Sequence, residues 1–152
     1  MKLLYEKLNG ADGHEAGLAL LEKLCGSPLP EIRRTKLGKP YFVDSPLHFS
    51  ISHTKNYVFA AVSEKPIGID AEELDRDIKL SLAEKLLSPT EYAQFQKAED
   101  QCLALLRFWV LKEAAGKCTG EGMQLWPNHT DFSLNDPRIQ ELSSCFVAVV
   151  EG

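Results

Sequence analysis

The segment EDQCLALLRFWVLKEAAGKC, Glu99 to Cys118, constrains this chain more than any other. It has the length and residue types of a long helix, and Gly120 or Gly122 can stop it. Phe108, Trp109, Val110, Leu111, Ala114 and Ala115 are core material. Yet Trp109, Glu113 and Lys117 fall four residues apart, which places them along one line of the helix. A carboxylate among apolar residues needs a partner. Glu113 either pairs with Lys117 one turn on, or binds a metal ion and leaves Lys117 to meet an anion.

The rest of the chain supplies strands for such a helix to pack on. LHFSISHT and NYVFAAVSE are rich in β-formers, and the TKN between them closes a hairpin. KPIGIDAEEL is a further strand entered after Pro66, and HTDFSL and CFVAVVE are closing strands. KLLYEKL is a strand or a short helix. DGHEAGLALLEKLCG is a helix with Asp12 as cap and Gly26 at its end. SPLPEIRRTKLGKP is a turn-rich connector, and IKLSLAEKLL is helical. SPTEYAQFQKA is a second helix with Ser88 as N-cap, Pro89 at the first turn and Glu91 closing a capping box. Strands and helices do not alternate as in a doubly wound sheet, so the expected class is α+β. No linker divides the 152 residues, so one domain is expected, with a crude similarity between its two parts.

Composition closes off several functions. The formal net charge of −5 argues against general nucleic-acid binding. No apolar run reaches membrane-spanning length, since Leu103 to Leu111 is cut by Arg107. The N-terminus is too charged for a signal peptide, so the expected location is the cytoplasm. Cys25, Cys102, Cys118 and Cys145 form no CxxC pair and are expected to be mostly buried thiols. Basic residues cluster once, as Arg33, Arg34, Lys36 and Lys39, either a solvated loop or an anion site.

The acidic chemistry concentrates in IGIDAEEL. On a strand, Ile67, Ile69 and Ala71 face one side and Gly68, Asp70 and Glu72 the other. The second side carries two carboxylates beside a glycine that admits a close neighbour. Such like charges repel by up to ~4 kcal/mol at contact distance with partial screening. A divalent cation removes that cost, and oxygen-only ligands favour Mg²⁺ or Mn²⁺ over zinc. A strand end running into solvent accounts for the same residues without a metal. His53, at the end of HFSISH beside Ser50 and Ser52, is either a surface histidine or a donor to a phosphate oxygen.

Taken in order, GKPYF, FSISHT, IGIDAEEL, LSPTEY and FWVLKEAAGKCTGEGM resemble the 4′-phosphopantetheinyl transferases of the Sfp type, over roughly Gly38 to Leu134. The G-[IV]-D-x-E and W-x-x-K-E-x-x-x-K elements are the specific part. The resemblance implies an α+β fold of two pseudo-symmetric halves, about 1–66 and 67–152, with the active site in the cleft between them. It implies Mg²⁺-dependent transfer of the phosphopantetheine arm of coenzyme A to a serine of an apo acyl or peptidyl carrier protein, releasing adenosine 3′,5′-bisphosphate.

Carried over by motif, Asp70, Glu72 and Glu113 would hold the metal. Glu113, Lys117 and His53 would be catalytic. Gly38, Lys39, Pro40, Ser52, His53 and Lys112 would bind coenzyme A, and Trp109 would serve as scaffold. The resemblance also implies a short N-terminal variant: the usual basic segment before the first helix is missing, and Glu15 stands where relatives carry arginine. Arg34 and Lys36, with Arg33, would then take the 3′-phosphate. One chain carries both halves of a cleft, so a monomer is expected. The same carboxylates and lysine would also suit a Mg²⁺-dependent nucleotide phosphohydrolase, or a binder of coenzyme A or carrier protein without catalysis.

Overall fold

The computed structural model describes residues 1–123 and 131–152. The fold is α+β, as expected. Strands β1 (Lys2–Lys7), β4 (His48–His53) and β5 (Tyr57–Ser63) form an antiparallel sheet in the order β1-β5-β4. Strands β6 (Ile67–Glu73), β7 (Ile139–Leu142) and β8 (Cys145–Glu151) form another in the order β6-β8-β7. Helix α1 (Gly13–Cys25) packs on the first sheet and α4 (Gln101–Thr119) on the second.

Local chemistry sets the boundaries. The Asp12 side chain accepts from the Glu15 N–H at 2.9 Å and starts α1. Ser88 and Glu91 form the reciprocal capping box that starts α3 (Pro89–Lys97). Gly120 ends α4 in the left-handed conformation, its N–H donating to the Gly116 carbonyl. The ambiguous KLLYEKL is the strand β1.

Three expectations need correction. The connector SPLPEIRRTKLGKP contains a small hairpin of β2 (Ile32–Arg34) and β3 (Pro40–Phe42), joined through a turn at Gly38. IKLSLAEKLL is not a full helix but a 3₁₀ turn at Leu80–Leu82 and a single helical turn, α2 (Ala83–Leu86). HTDFSL is not a strand from Asp131 onward, and its first two residues lie outside the described residues. The penultimate strand is instead β7, whose exposed Gln140 and Glu141 mask its β character. Of the cysteines, Cys118 and Cys145 are buried, Cys25 is partly so and Cys102 is exposed.

Strand β6 alternates as its sequence implies. Ile67, Ile69 and Ala71 pack with Phe59, Ala61 and Val147. Gly68 faces α4 so closely that a Cβ there would lie 2.0 Å from the Ala114 carbonyl oxygen. The neighbour that the glycine admits is therefore the long helix itself. That contact sets Asp70 and Glu72 against the line of Trp109, Glu113 and Lys117.

The two sheets meet along β4 and β6 without a backbone ladder. The Ser50 hydroxyl accepts the Ile69 N–H at 3.0 Å, and the Ser52 hydroxyl accepts the Ala71 N–H at 3.1 Å. Two serine side chains thus satisfy buried strand amides that would otherwise lack partners.

Candidate active site

A cleft of about 730 Å³ opens beside this seam. Its walls are the start of α1 (His14, Leu18), the β2–β3 hairpin (Arg33, Arg34, Leu37, Gly38, Lys39, Pro40), the end of β4 (Phe49, Ser50, Ile51, His53) and the end of α4 (Gly116, Lys117, Gly120, Gly122). Six basic side chains, two of them histidines, and two glycine-bearing turns surround an open space, a wall whose charge suits an anion.

Close packing shapes it. A Cβ on Gly13 would meet the His53 ring at 2.5 Å, so the glycine seats the histidine against the first turn of α1. A Cβ on Gly116 would meet Gly122 at 2.3 Å, so the chain leaving α4 folds back across its last turn. Lys39 reaches from the hairpin to the end of α4, where its ammonium donates to the Cys118 carbonyl. Burial pushes the Lys39 pKa down.

Lys117 connects the cleft to the carboxylates. Its ammonium donates to Asp70 Oδ1 at 2.8 Å and to the Ile69 carbonyl at 3.0 Å. Glu72 accepts from Trp109 Nε1 at 3.2 Å and from Arg76, whose guanidinium also lies over the Trp109 ring. Glu113 makes no hydrogen bond or ion pair among the described residues, although Asp70 and Lys117 both act on it electrostatically. The pairing of Glu113 with Lys117 open in the sequence is therefore not formed: the lysine turns to Asp70.

Burial raises the pKa of Asp70, with Lys117 pulling the other way. Burial raises Glu72 too, against Arg76, and burial and then Asp70 raise Glu113. Burial thus disfavours the charged form of all three carboxylates, a cost that a bound cation would offset.

These residues fit a hard divalent cation in donor type and charge. Asp70 Oδ2 is buried and has no hydrogen-bond partner, an acceptor left over in the middle of the cluster. Among the described residues no three Asp, Glu, His or Cys side chains already converge as a metal group, because Asp70 and Glu72 are held by Lys117 and Arg76.

Three site residues sit elsewhere than expected. Lys112 lies inside the protein, 2.8 Å from Glu91 of α3, and does not reach the cleft. Ser52 is buried in the seam, where it donates to Asp70 Oδ1 at 3.4 Å while accepting from Ala71. Lys36 is exposed and is not part of the cleft wall. Arg34 is in the wall, where it also braces the hairpin by donating to the Gly38 carbonyl at 2.8 Å. His14 and Gly116 also line the cleft; neither is a fixed position of the motifs, and only the glycine, by its size, signals a close approach of another segment.

An acidic cluster is joined by one lysine to a basic, glycine-lined cleft, an arrangement with the charge and donors that a phosphate-bearing ligand requires. Residues 66–147, more than half of the chain, match the 4′-phosphopantetheinyl transferase superfamily model. The chain belongs to that superfamily. It is 38% identical over 95 residues to the 4′-phosphopantetheinyl transferase gsp of Aneurinibacillus migulanus, covering 61% of this chain and 39% of that protein. It is 36% identical over 91 residues to the 4′-phosphopantetheinyl transferase Sfp of Bacillus subtilis strain 168, covering 58% and 40%. It is 35% identical over 123 residues to the transferase ffp of Bacillus subtilis, covering 75% and 54%. The matched part is thus two-fifths to about half of these relatives. No helix among the described residues is long and apolar enough to cross a membrane.

Proposed function

We propose that this chain transfers the 4′-phosphopantetheine arm of coenzyme A to a serine of an apo acyl or peptidyl carrier protein, releasing adenosine 3′,5′-bisphosphate. The observation that carries the reading is the position of Lys117. It touches Asp70 on one side and lines the cleft on the other, so one ammonium links a carboxylate cluster to a phosphate-sized basic space. Membership of the superfamily supports the same reaction.

Asp70, Glu72 and Glu113 would hold Mg²⁺, or Mn²⁺. The metal would supply charge neutralisation on the pyrophosphate and its leaving group. Lys117 and His53 donate to phosphate oxygens as negative charge moves onto them. Gly38, Lys39 and Pro40 border the nucleotide, and Arg34 with Arg33 offers the 3′-phosphate a bidentate partner. A carboxylate would take the proton of the attacking serine, Glu113 either directly or through a water held beside it. Residues of both proposed halves, about 1–66 and 67–152, line one cleft, which supports a site built within a single chain.

The test is intact-mass spectrometry of a panel of apo carrier proteins incubated with this protein, coenzyme A and Mg²⁺. A phosphopantetheine-sized mass gain, lost with Glu113→Gln and with chelator, is the expected result. No gain on any carrier, with the protein folded, overturns the proposal. Release of adenosine 3′,5′-bisphosphate without a carrier would assign a phosphohydrolase instead.

A further inference from the structure

Strand β1 is exposed along nearly its whole length, and it forms one edge of its sheet. Among the described residues it pairs only with β5. Met1, Leu4 and Tyr5 are among the large hydrophobics left exposed, at 61%, 37% and 38%. Unpaired edges carrying apolar residues are where further strands add.

The free backbone groups can be assigned. The Leu8 N–H donates to the Asn56 carbonyl opposite it at 2.8 Å, and the pairing continues in register to Lys2 and Val62. Lys2, Leu4 and Glu6 therefore direct their N–H and C=O groups at β5, while Leu3, Tyr5 and Lys7 direct theirs outward. The other side of β5 agrees. The Thr54 N–H donates to the Tyr57 carbonyl, so Tyr57, Phe59 and Ala61 serve β4 and leave Val58, Ala60 and Val62 for β1.

The strand KLLYEK is self-complementary under this constraint. Turn a second copy antiparallel about an axis at Leu4. Leu3 then faces Tyr5 as a hydrogen-bonded pair, using the outward groups of both strands. Leu4 faces Leu4, and Lys2 faces Glu6 twice over. Shifting the axis to Tyr5 sets Leu4 against Glu6 and Leu3 against Lys7, and loses the opposite-charge pairs. Lys2, which would repel a foreign or misregistered strand, thus meets Glu6 of the second copy, an exposed carboxylate that also pairs with Lys23 of its own chain.

We propose that two copies of this chain associate through β1, joining their sheets into one of order β4-β5-β1-β1-β5-β4. The partner is the chain itself. The cleft lies at the β4 side of the sheet, so both clefts stay open in the dimer. The inference is independent of the transferase reading. Two six-residue edges cover less than the roughly 1,600 Å² of a standard interface, so association is concentration-dependent.

Sedimentation equilibrium of the intact chain tests it, with thermal melts confirming that each variant folds. The unsubstituted chain is expected in a monomer–dimer equilibrium. Leu4→Lys places two ammonium groups across the axis and weakens association roughly tenfold or more. Lys2→Glu and Glu6→Lys each weaken it, and the two together restore it. The axis at Leu4 forms a non-hydrogen-bonded pair with Cα atoms about 4.5 Å apart, within disulfide reach. Leu4→Cys is therefore expected to cross-link under mild oxidation where Leu3→Cys does not, with the unsubstituted chain reporting any bridge through exposed Cys102. A monomer at every concentration, or a dimer indifferent to Leu4→Lys and without the Leu4→Cys bridge, overturns the proposal.

Discussion

Helix α4 carries two ion pairs of the same length in opposite surroundings. Lys112 lies 2.8 Å from Glu91 with both side chains sealed, at 2% and 0% exposure. Lys117 lies 2.8 Å from Asp70, but the lysine is 33% exposed and opens onto the cleft. In the sealed pair, Glu91 also accepts the N–H groups of Ser88 and Phe132, and Lys112 sits over the Phe132 ring. The carboxylate thus ties the start of α3 to the chain that follows the long helix. In the open pair the carboxylate keeps an unused oxygen, and the lysine can exchange its partner for an incoming anion. Distance alone does not separate a clamp from a working group; what else each oxygen is doing does.

Breaking the sealed pair should cost most. Glu91→Ala leaves a buried ammonium without its counter-ion, and a loss of about 3–5 kcal/mol is expected in denaturant unfolding. Replacing Glu91 and Lys112 together by apolar residues should recover much of that loss, because a buried pair is weak net support. If the double variant is no more stable than Glu91→Ala, the loss comes from the Ser88 and Phe132 contacts of Glu91 and not from the stranded ammonium. Lys117→Ala should invert the pattern. Transfer, measured on carrier protein, is expected to fall about 10²- to 10³-fold, the scale of removing one preorganised donor. A melting temperature reduced as much as in Glu91→Ala would make Lys117 a second clamp.

Metal sharpens the contrast further. Saturating Mg²⁺ is expected to raise the melting temperature of the unsubstituted chain, by an amount worth about 2.7 kcal/mol at a hundredfold excess over Kd. The shift should vanish in Asp70→Asn and persist in Lys112→Met. Equal shifts in both variants would place the cation outside the carboxylate cluster.

A third pair gives the smallest effect. The Arg138 side chain beside Asp136 holds its carboxyl below the usual carboxylate range. A depressed acid contributes stability that is present above its unfolded pKa and lost as pH falls through its folded one. The stability gap between the unsubstituted chain and Asp136→Asn should therefore narrow on acidification from neutral pH. A gap that widens would reverse the sign.

The contrast between the lysines also marks what could be read from the sequence. The alternation of IGIDAEEL, the caps at Asp12 and Ser88 and the i,i+4 line of α4 are local, and the structure follows them. Lys112 is one residue from Glu113, so a motif reads them together. A helix turns about 100° per residue, and the two side chains part company. The motif groups Ser52 with the coenzyme A contacts, yet two buried amides of a neighbouring strand claim both serines first. The hairpin β2–β3 is built on Gly38 and three-residue strands too short for periodicity, and β7 carries polar residues on its outer side. None of these depends on its own segment alone, so no local pattern announces them.

The serine seam sets a clock as well as a join. A ladder amide is released only when its partner strand leaves, whereas Ile69 and Ala71 are freed once two hydroxyls rotate. Their protons report how often the sheets part by a fraction of an ångström. They lie beside Asp70, so the exchange times of these amides measure how still the seam behind the carboxylates is held.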